Sequence, residues 1–259
     1  MTSRWSPLLL ALALAGCRRT PPPGLPAGVA IEDLPDAETW GARLRATEAG
    51  RPTLDVDAPY LARYARAPAA AGLAVADGDS SAVFLGPPPE ATAGAPATRV
   101  AVRLYDAAGG ATVSAERAWL REASGRLVAE GRAEATVGGA RLTAARIAAG
   151  RDGAVSASGG ATAVLTGRAN ATVRAGTIRG AAGGARVEAT GGAHVDASGG
   201  RTLDAGTVVW DEAAGRFRAP GAFAFDGPGE RVRGVGLDAT ADLRRYSFRR
   251  ATGQIEVRQ

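Results

Sequence analysis

Side chains that could perform covalent chemistry are few in this sequence of 259 residues. His194 is the only histidine, and it stands two positions before Asp196. In an extended strand the imidazole and this carboxylate would share a face. No nucleophile or second polar partner converges on the pair from the sequence, and a general base alone does not define an active site. We therefore expect His194 to be a structural residue, exposed or half-buried, and we identify no catalytic residue.

Two other patterns imitate metal or cofactor motifs without meeting their requirements. Asp77-Gly78-Asp79 opens like a calcium loop, but Ala82 and Pro88 stand where that loop needs glycine and a bidentate glutamate. The segment from Gly234 to Ala239 has the spacing of a dinucleotide-binding turn, but too few residues follow it for a βαβ unit. One cysteine cannot complete a zinc site. The sequence predicts no cofactor and no metal.

The single cysteine, Cys17, is the last residue of an amino-terminal segment with a specific charge and hydropathy pattern. Arg4 precedes an apolar run from Leu8 to Leu14, and Ala15-Gly16-Cys17 follows. An apolar run this short cannot cross a bilayer, which requires about 20 residues, and the pattern is typical of a signal peptide. The sequence Leu-Ala-Gly-Cys resembles the bacterial lipobox, which implies cleavage before Cys17 and acylation of its thiol. An ordinary secretory signal with an incidental cysteine is the alternative.

Three segments follow from this arrangement. Residues 1–16 are interpreted as a lipoprotein signal peptide, residues 17–37 as a lipid anchor with a proline-rich tether, and residues 38–259 as the folded part. Arg18 and Arg19 would add attraction to anionic headgroups beside the acylated Cys17. We expect a protein that is held by lipid at a membrane surface.

The composition excludes several classes of protein. All 31 basic residues are arginine, and they alternate along the chain with 26 acidic residues. A surface that follows nucleic-acid phosphates would cluster the basic residues, so no nucleic-acid partner is expected. Hydrophobic residues make up 46% of the chain but aromatic residues only 5%. Because alanine and valine provide most of the apolar content, thin layers are expected instead of a deep catalytic core.

Internal repetition is the main feature of the folded part. An apolar residue followed two positions later by alanine or glycine recurs at intervals of 29 to 31 residues. These apolar anchors are Val113, Leu142, Val173, Leu203 and Val232. In two of the units the segments Glu122–Leu127 and Glu212–Phe217 match without gaps, each with a glycine at the same place, as do Gly131 and Gly221. Each unit is therefore predicted to be a β-hairpin.

Period-two alternation and frequent glycine predict an all-β fold. Val100, Val102 and Leu104 share one face of a strand, and glycine is too frequent from Gly150 to Gly200 for helices. The interval at about 65–98 is predicted to be a partly disordered loop or a degenerate unit around the apolar island Val83-Phe84-Leu85. The glycine-rich units at about 144–200 are predicted to be inserted hairpins whose register the sequence leaves open.

A resemblance to a known family is carried mainly by the carboxyl-terminal stretch. It runs from Trp210-Asp211-Glu212 through Phe225-Asp226-Gly227 and Gly234-Val235-Gly236-Leu237 to Gly253-Gln254-Ile255. This stretch resembles the ending of the LptC family, the periplasmic membrane-anchored subunit of the lipopolysaccharide export machinery, within the LptA/OstA-like superfamily. The block from Val102 to Ala118 is similar to the family's amino-terminal pattern. The chain departs from the family by its lipobox, since members usually have a transmembrane anchor.

The resemblance implies an open, twisted, antiparallel β-jelly roll of about 30-residue hairpins that performs no chemistry. It implies that lipopolysaccharide binds in an apolar groove and passes from an inner-membrane ABC transporter to an LptA-like periplasmic carrier, with the anchor on the periplasmic side of the inner membrane. The five apolar anchors would line that groove, although they would equally fill a closed core. The edge that meets the carrier would be Gln254, Ile255, Glu256 and Val257, and the edge near Trp40 to Ala46 would face the transporter.

Two other functions stay open at this point. A structural or adhesive envelope β-solenoid would also repeat every 30 residues, but it would stack parallel coils instead of hairpins. An LptA-like carrier would share the fold and differ in anchoring. Antiparallel pairing of Val113–Leu120 with Arg126–Thr136 separates the hairpin prediction from the solenoid.

Overall fold

The computed structural model describes residues 34–65, 81–88, 99–105, 110–122, 124–150, 152–181 and 186–251. The signal peptide, Cys17, the proline-rich tether and the segment from Gln254 to Val257 lie outside these residues. These residues form strands, turns and bends joined by short irregular links, with no helix among them. No helix in this part of the chain is long and apolar enough to span a membrane.

Fifteen strands make up the described fold. Their bounds are β1 Ala37–Glu48, β2 Arg51–Tyr64, β3 Ala82–Gly86, β4 Val100–Leu104, β5 Ala111–Ala115, β6 Arg117–Arg121, β7 Leu127–Val137, β8 Ala140–Ala149, β9 Ala154–Leu165, β10 Ala171–Ala181, β11 Arg186–Ala197, β12 Arg201–Asp211, β13 Arg216–Gly227, β14 Glu230–Thr240 and β15 Tyr246–Ala251.

All fifteen strands belong to one antiparallel sheet. From β7 to β15 each strand pairs with the next strand in the chain, so this part is a series of hairpins. The amino-terminal part is more complex, because β2 pairs with β4 along one half and with β3 along the other. In the same way β7 pairs with both β5 and β6. Short strands in pairs thus replace single long strands at this end.

A bulge bends the long strands near their middle. Between the matched pairs Thr143 with Thr162 and Arg146 with Ser158, β9 contains one more residue than β8. An extra residue in one strand of a pair bends that strand and increases its twist. Three of the odd-numbered strands have a glycine with positive φ at this point, a conformation that glycine adopts without steric cost. These glycines are Gly131, Gly159 and Gly191, with φ of 77°, 81° and 79°.

The bend folds the sheet over its own apolar face. On either side of the bulge, inward side chains alternate with outward ones, as Ala140, Leu142 and Ala144 do in β8 before Ile147 and Ala149 continue beyond the bend. The inward residues of both halves form a single buried cluster. The two halves of each strand therefore lie in two layers, and the core is the space between them.

This architecture confirms the predicted all-β fold built of antiparallel hairpins. β5 and β6 pair antiparallel with β7, as expected for the first repeat, and the described pairings contain no stacked parallel coil. Gly125 and Gly215, the matched turn glycines, both have positive φ, at 62° and 63°. The solenoid alternative is excluded for the described part of the chain.

Two segments whose structure the sequence left open contain strands in the structure. Within the predicted loop at about 65–98, the apolar island is strand β3, which pairs with β2 and β6. The glycine-rich segment at about 144–200 contains regular strands that continue the same sheet in defined register. Both segments therefore contribute hydrogen-bonded strands to the sheet.

Candidate functional site

One line of cross-strand neighbours runs across the inner face of the sheet from β1 to β14. Each member is paired with the next through the strand register. We call this line the apolar ladder, and its members are Leu44, Val56, Val102, Val113, Ala135, Leu142, Ala163, Val173, Val195, Leu203, Phe225 and Val232. None of these side chains is polar. At about 4.8 Å between strands, the ladder extends for about 50 Å.

The five apolar anchors named from the sequence all belong to the apolar ladder. Their residual exposures lie between 0% and 4%: Val113 1%, Leu142 4%, Val173 2%, Leu203 0% and Val232 1%. Their even spacing in sequence therefore becomes one line in space. Protein atoms cover this line from the opposite layer, so binding of lipid at these residues stays a prediction.

The filling of the interior changes along the ladder. Next to the bend, alanine occupies the inward position in six successive long strands, and Phe223 occupies it in β13. The alanines are Ala133, Ala144, Ala161, Ala175, Ala193 and Ala205. Aromatic rings concentrate at the far end, where Trp210 and Phe217 have ring centroids 4.6 Å apart and Phe225 and Tyr246 4.9 Å apart.

A cavity of about 540 Å³ borders the amino-terminal end of the ladder. Leu44, Val56 and Val102 contribute to its lining, together with charged side chains of β1, β2 and β4. Among these, Arg45 donates to Asp55 at 2.7 Å. The hydrogen bond from Arg45 and, to a smaller extent, the one from Tyr105 lower the pKa of the Asp55 carboxyl, so this carboxylate remains ionised. Apolar and ionic surfaces thus meet at this end.

The outward face carries cross-strand ion pairs. Arg117 lies 3.2 Å from Glu130, and Arg43 lies 3.5 Å from Asp57. The arginines of both pairs are exposed, although Glu130 is half-buried, and surface ion pairs contribute about 0–1 kcal/mol each. The basic and acidic residues that alternate in the sequence therefore occupy outward positions of the strands, where they pair across neighbouring strands.

His194 lies on this outward face between two carboxylates. Its Nδ1 is 2.6 Å from Asp204 and its Nε2 is 3.1 Å from Asp196, which also accepts from Arg174 at 2.5 Å. The hydrogen bond to Asp204 raises the pKa of His194, and burial opposes that shift. The predicted neighbourhood with Asp196 is confirmed, and sequence reasoning missed Asp204 because it comes from the adjacent strand. The cluster joins three strands and contains no nucleophile.

Potential metal ligands do not gather in the described ranges, where no group of three His, Cys, Asp or Glu side chains is placed to hold an ion.

The segment from Gly234 to Ala239, which has the spacing of a dinucleotide-binding turn, is part of strand β14. A Cβ at Gly234 would approach the Arg250 carbonyl oxygen to 2.5 Å and the Phe223 ring to 2.9 Å. The glycine at this position therefore permits close packing of neighbouring strands.

An outer aromatic cluster at the amino-terminal end was not anticipated. It is a chain of ring contacts at 5.0 to 6.3 Å through Trp40, Tyr60, Phe84, Trp119 and Tyr64. Tyr60 donates a hydrogen bond to Glu38. Burial raises the pKa of the Tyr60 hydroxyl most, and this hydrogen bond raises it further. The sequence contained a signal for it, because the island in β3 is apolar without alternation. Such a run indicates a strand covered on both faces.

Comparison with known proteins finds a likeness among solved structures. No protein-family profile matches the chain, and none of the curated proteins compared with it matches. Among solved structures the chain is similar to LptH of Pseudomonas aeruginosa, described as the LptA-homologous periplasmic component of the conserved lipopolysaccharide transport device. The match has 23% identity and a TM-score of 0.36, and it covers 39% of this chain and 75% of LptH. A likeness of this extent carries no functional argument.

Proposed function

We propose that this protein binds lipopolysaccharide through its acyl chains, without enzymatic activity, and passes it along the apolar ladder. The ladder carries the proposal, because it offers about 50 Å of continuous apolar contact across successive strands. Acyl chains need apolar contact and no hydrogen-bonding partner, so a ladder without polar side chains fits them.

The alanine-lined part of the interior supports loading by separation of the two layers. Hydrophobic stabilisation is proportional to the apolar area removed from water, about 25 cal/mol per Å². An alanine methyl group buries less area than a leucine or phenylalanine side chain, so parting the layers here exposes less apolar surface. An acyl chain that enters would restore the lost contacts.

The two ends of the sheet fit a role between membrane partners. In the described part of the chain β1 pairs on one side only, with β2, and so presents an edge of twelve residues that includes Trp40 and Ala46. An unpaired edge can accept a strand from another protein. We assign this end, with its cavity, to an inner-membrane lipopolysaccharide ABC transporter. We assign Gln254, Ile255, Glu256 and Val257 to an LptA-like carrier.

Cys17 completes the proposal as the acylated membrane anchor on the periplasmic side of the inner membrane. Several acyl chains on one residue give stable attachment, because each buried methylene contributes about 0.8 kcal/mol. An LptA-like carrier that is free of the membrane is the second candidate function, since the ladder by itself would serve either role.

Site-specific photo-crosslinking in living cells tests cargo binding. A photoreactive residue at Val113, Leu203 or Val232 is expected to capture lipopolysaccharide. The adjacent outward positions Ser114, Asp204 and Arg233 provide matched controls and are expected to capture little, because their side chains point away from the interior. Equal capture at both sets, or capture at neither, would reject the interior as the lipid site.

Anchoring and the carrier contact are tested separately. The variant Cys17→Ala is expected to leave the membrane fraction in high salt, and a variant that stays in that fraction would reject acylation at this position.

The variant Ile255→Pro is expected to abolish co-purification of the carrier while the β-sheet circular-dichroism signal and the membrane anchoring persist. A folded Ile255→Pro variant that still binds the carrier would reject this edge assignment.

A further inference from the structure

The carboxyl-terminal end of the interior is closed by a small group of side chains from the β14–β15 turn and β15. Leu243 in the turn is 0% exposed and belongs to the main core cluster. Tyr246 and Phe248 in β15 pack against that cluster, and the Phe248 ring centroid is 6.2 Å from that of Phe223. We call Leu243, Tyr246 and Phe248 the plug.

Leu243 enters the interior with an unusual backbone conformation. Its φ is +55°, in the left-handed region that bulky side chains rarely adopt. The turn around it is held by hydrogen bonds from the Leu243 amide to the Thr240 carbonyl at 2.8 Å and from the Arg244 amide to Asp242 at 3.1 Å. A strained residue persists only where its surroundings hold it. Here burial of the leucine side chain in the core, together with the two turn hydrogen bonds, holds this conformation.

Tyr246 fastens the plug across the two layers. It pairs with Ala239 in one layer, yet its ring lies 4.9 Å from the Phe225 ring in the other layer. Its hydroxyl donates to Glu230 at 2.8 Å, and Glu230 begins the half of β14 that belongs to that other layer. Burial, together with this bond, raises the pKa of Tyr246 to about 12, so the hydroxyl keeps its proton at neutral pH.

The strand that carries the plug is itself weakly held. β15 has six residues, and in the described part of the chain it pairs only with Gly234–Ala239 of β14, whereas β13 has twelve residues and pairs on both sides. Short segments at a sheet edge open locally at lower free energy than the centre of a sheet. Opening of β15 would uncover Phe223, Phe225 and the end of the apolar ladder.

We infer that the plug is a gate at the carboxyl-terminal end of the interior, fastened by Tyr246 to Glu230, and that it swings out to let apolar cargo reach or leave the ladder. This inference rests on the proposed lipid-binding function. It adds a specific exit and the residues that close it.

Two conservative variants of the full chain test the gate. Leu243→Gly removes the plugging side chain while glycine suits the positive φ, so the turn is retained. Tyr246→Phe removes the bond to Glu230 and keeps the ring. Matched controls exist for both. Ala49→Gly changes another positive-φ residue in an exposed turn, and Tyr105→Phe removes another tyrosine–carboxylate bond, to Asp55 at 2.6 Å.

Hydrogen exchange and binding of an apolar fluorescent probe are the measurements. Tyr246→Phe is expected to speed amide exchange in β15 by roughly tenfold, as loss of one hydrogen bond to a charged group allows. Both plug variants are expected to bind N-phenyl-1-naphthylamine several-fold more strongly than the unaltered chain, and neither control variant should. Unchanged exchange in β15, or faster exchange without stronger probe binding in either plug variant, would overturn the gate.

Failure of the gate and failure of the proposed function give different results. If the plug variants respond as expected while the unaltered chain captures no lipopolysaccharide at Val113, Leu203 or Val232, the gate stands and the lipopolysaccharide assignment fails. If lipopolysaccharide is captured while the plug variants behave like Ala49→Gly and Tyr105→Phe, the proposed function stands and the gate fails.

Discussion

The middle repeats, β8 to β11, and the carboxyl-terminal repeats, β12 to β15, have the same strand pairing but fill the interior differently. In the middle, alanine and valine occupy most inward positions, as Ala161, Ala163 and Val173 do. In the carboxyl-terminal repeats Trp210, Phe217 and other aromatic rings fill the space between the layers.

The difference shows how one hairpin repeat can serve two purposes. A buried aromatic side chain removes about 150–250 Å² from water, far more than an alanine does. Strands β12 to β14 are therefore expected to hold the two layers together, the middle repeats to part at lower cost, and the short edge strand β15 to open locally. A carrier of acyl chains needs both properties, because a fold that opens along its whole length would lose its structure.

The largest expected effect is loss of an aromatic ring at the carboxyl-terminal end. Phe217→Ala is expected to lower the free energy of unfolding by about 3–5 kcal/mol, because the ring is fully buried against Trp210. Urea denaturation measures the change. Val235→Ala, at a position that is 36% exposed, is the control and should cost less than about 0.5 kcal/mol. Equal losses in the two variants would contradict the anchoring role of the rings.

An enlarged side chain in the middle repeats tests how closely the layers pack there. Ala163→Leu is expected to cost about 1–3 kcal/mol, since Ala163 is 0% exposed and lies in the ladder between Leu142 and Val173. Val164→Leu, at the adjacent outward position with 41% exposure, is the control. Thermal denaturation of both variants decides the point. An Ala163→Leu variant as stable as its parent would show free space between the layers instead of a closed core.

The bulges that fold the sheet are expected to depend on glycine only where φ is positive. Gly159→Ala should cost about 1–2 kcal/mol, because its φ is 81° and the new methyl group would lie 2.9 Å from the Ala145 Cβ. Gly206→Ala provides the matched case, with ordinary φ and open space around the added carbon. Its urea midpoint should stay near that of the parent. Similar losses at both positions would refute a specific need for left-handed glycine.

The smallest expected effect concerns His194. Its pKa is raised above the ordinary value of 6.5, so its contribution to stability is fully present below that pH and is lost as pH rises through the folded-state pKa. Because His194 is the only histidine, NMR can follow its titration directly. Asp204→Asn should lower the measured pKa, with a change in stability below about 1 kcal/mol for so exposed a pair. Titration of the parent protein at or below 6.5 would contradict the cross-strand bond.

Several features were readable in the sequence because they depend on neighbours along one chain. The spacing of the five apolar anchors predicted hairpins, and the matched turns at Gly125 and Gly215 are found where that spacing places them. The proximity of His194 to Asp196 followed from alternation in a single strand. In contrast, the contact of His194 with Asp204 and the bond from Tyr246 to Glu230 join different strands, and their existence depends on register.

The amino-acid sequence by itself determined the all-β class, the 30-residue hairpin period and the inward or outward face of most strand residues. These follow from alternation, turn glycines and the cost of glycine in helices, which are local effects. Only the tertiary structure decided that β3 with β4, and β5 with β6, replace single long strands, and that the plug residues close one end. These features depend on strand register, because a single extra residue at a bulge changes which side chains meet across the bent sheet.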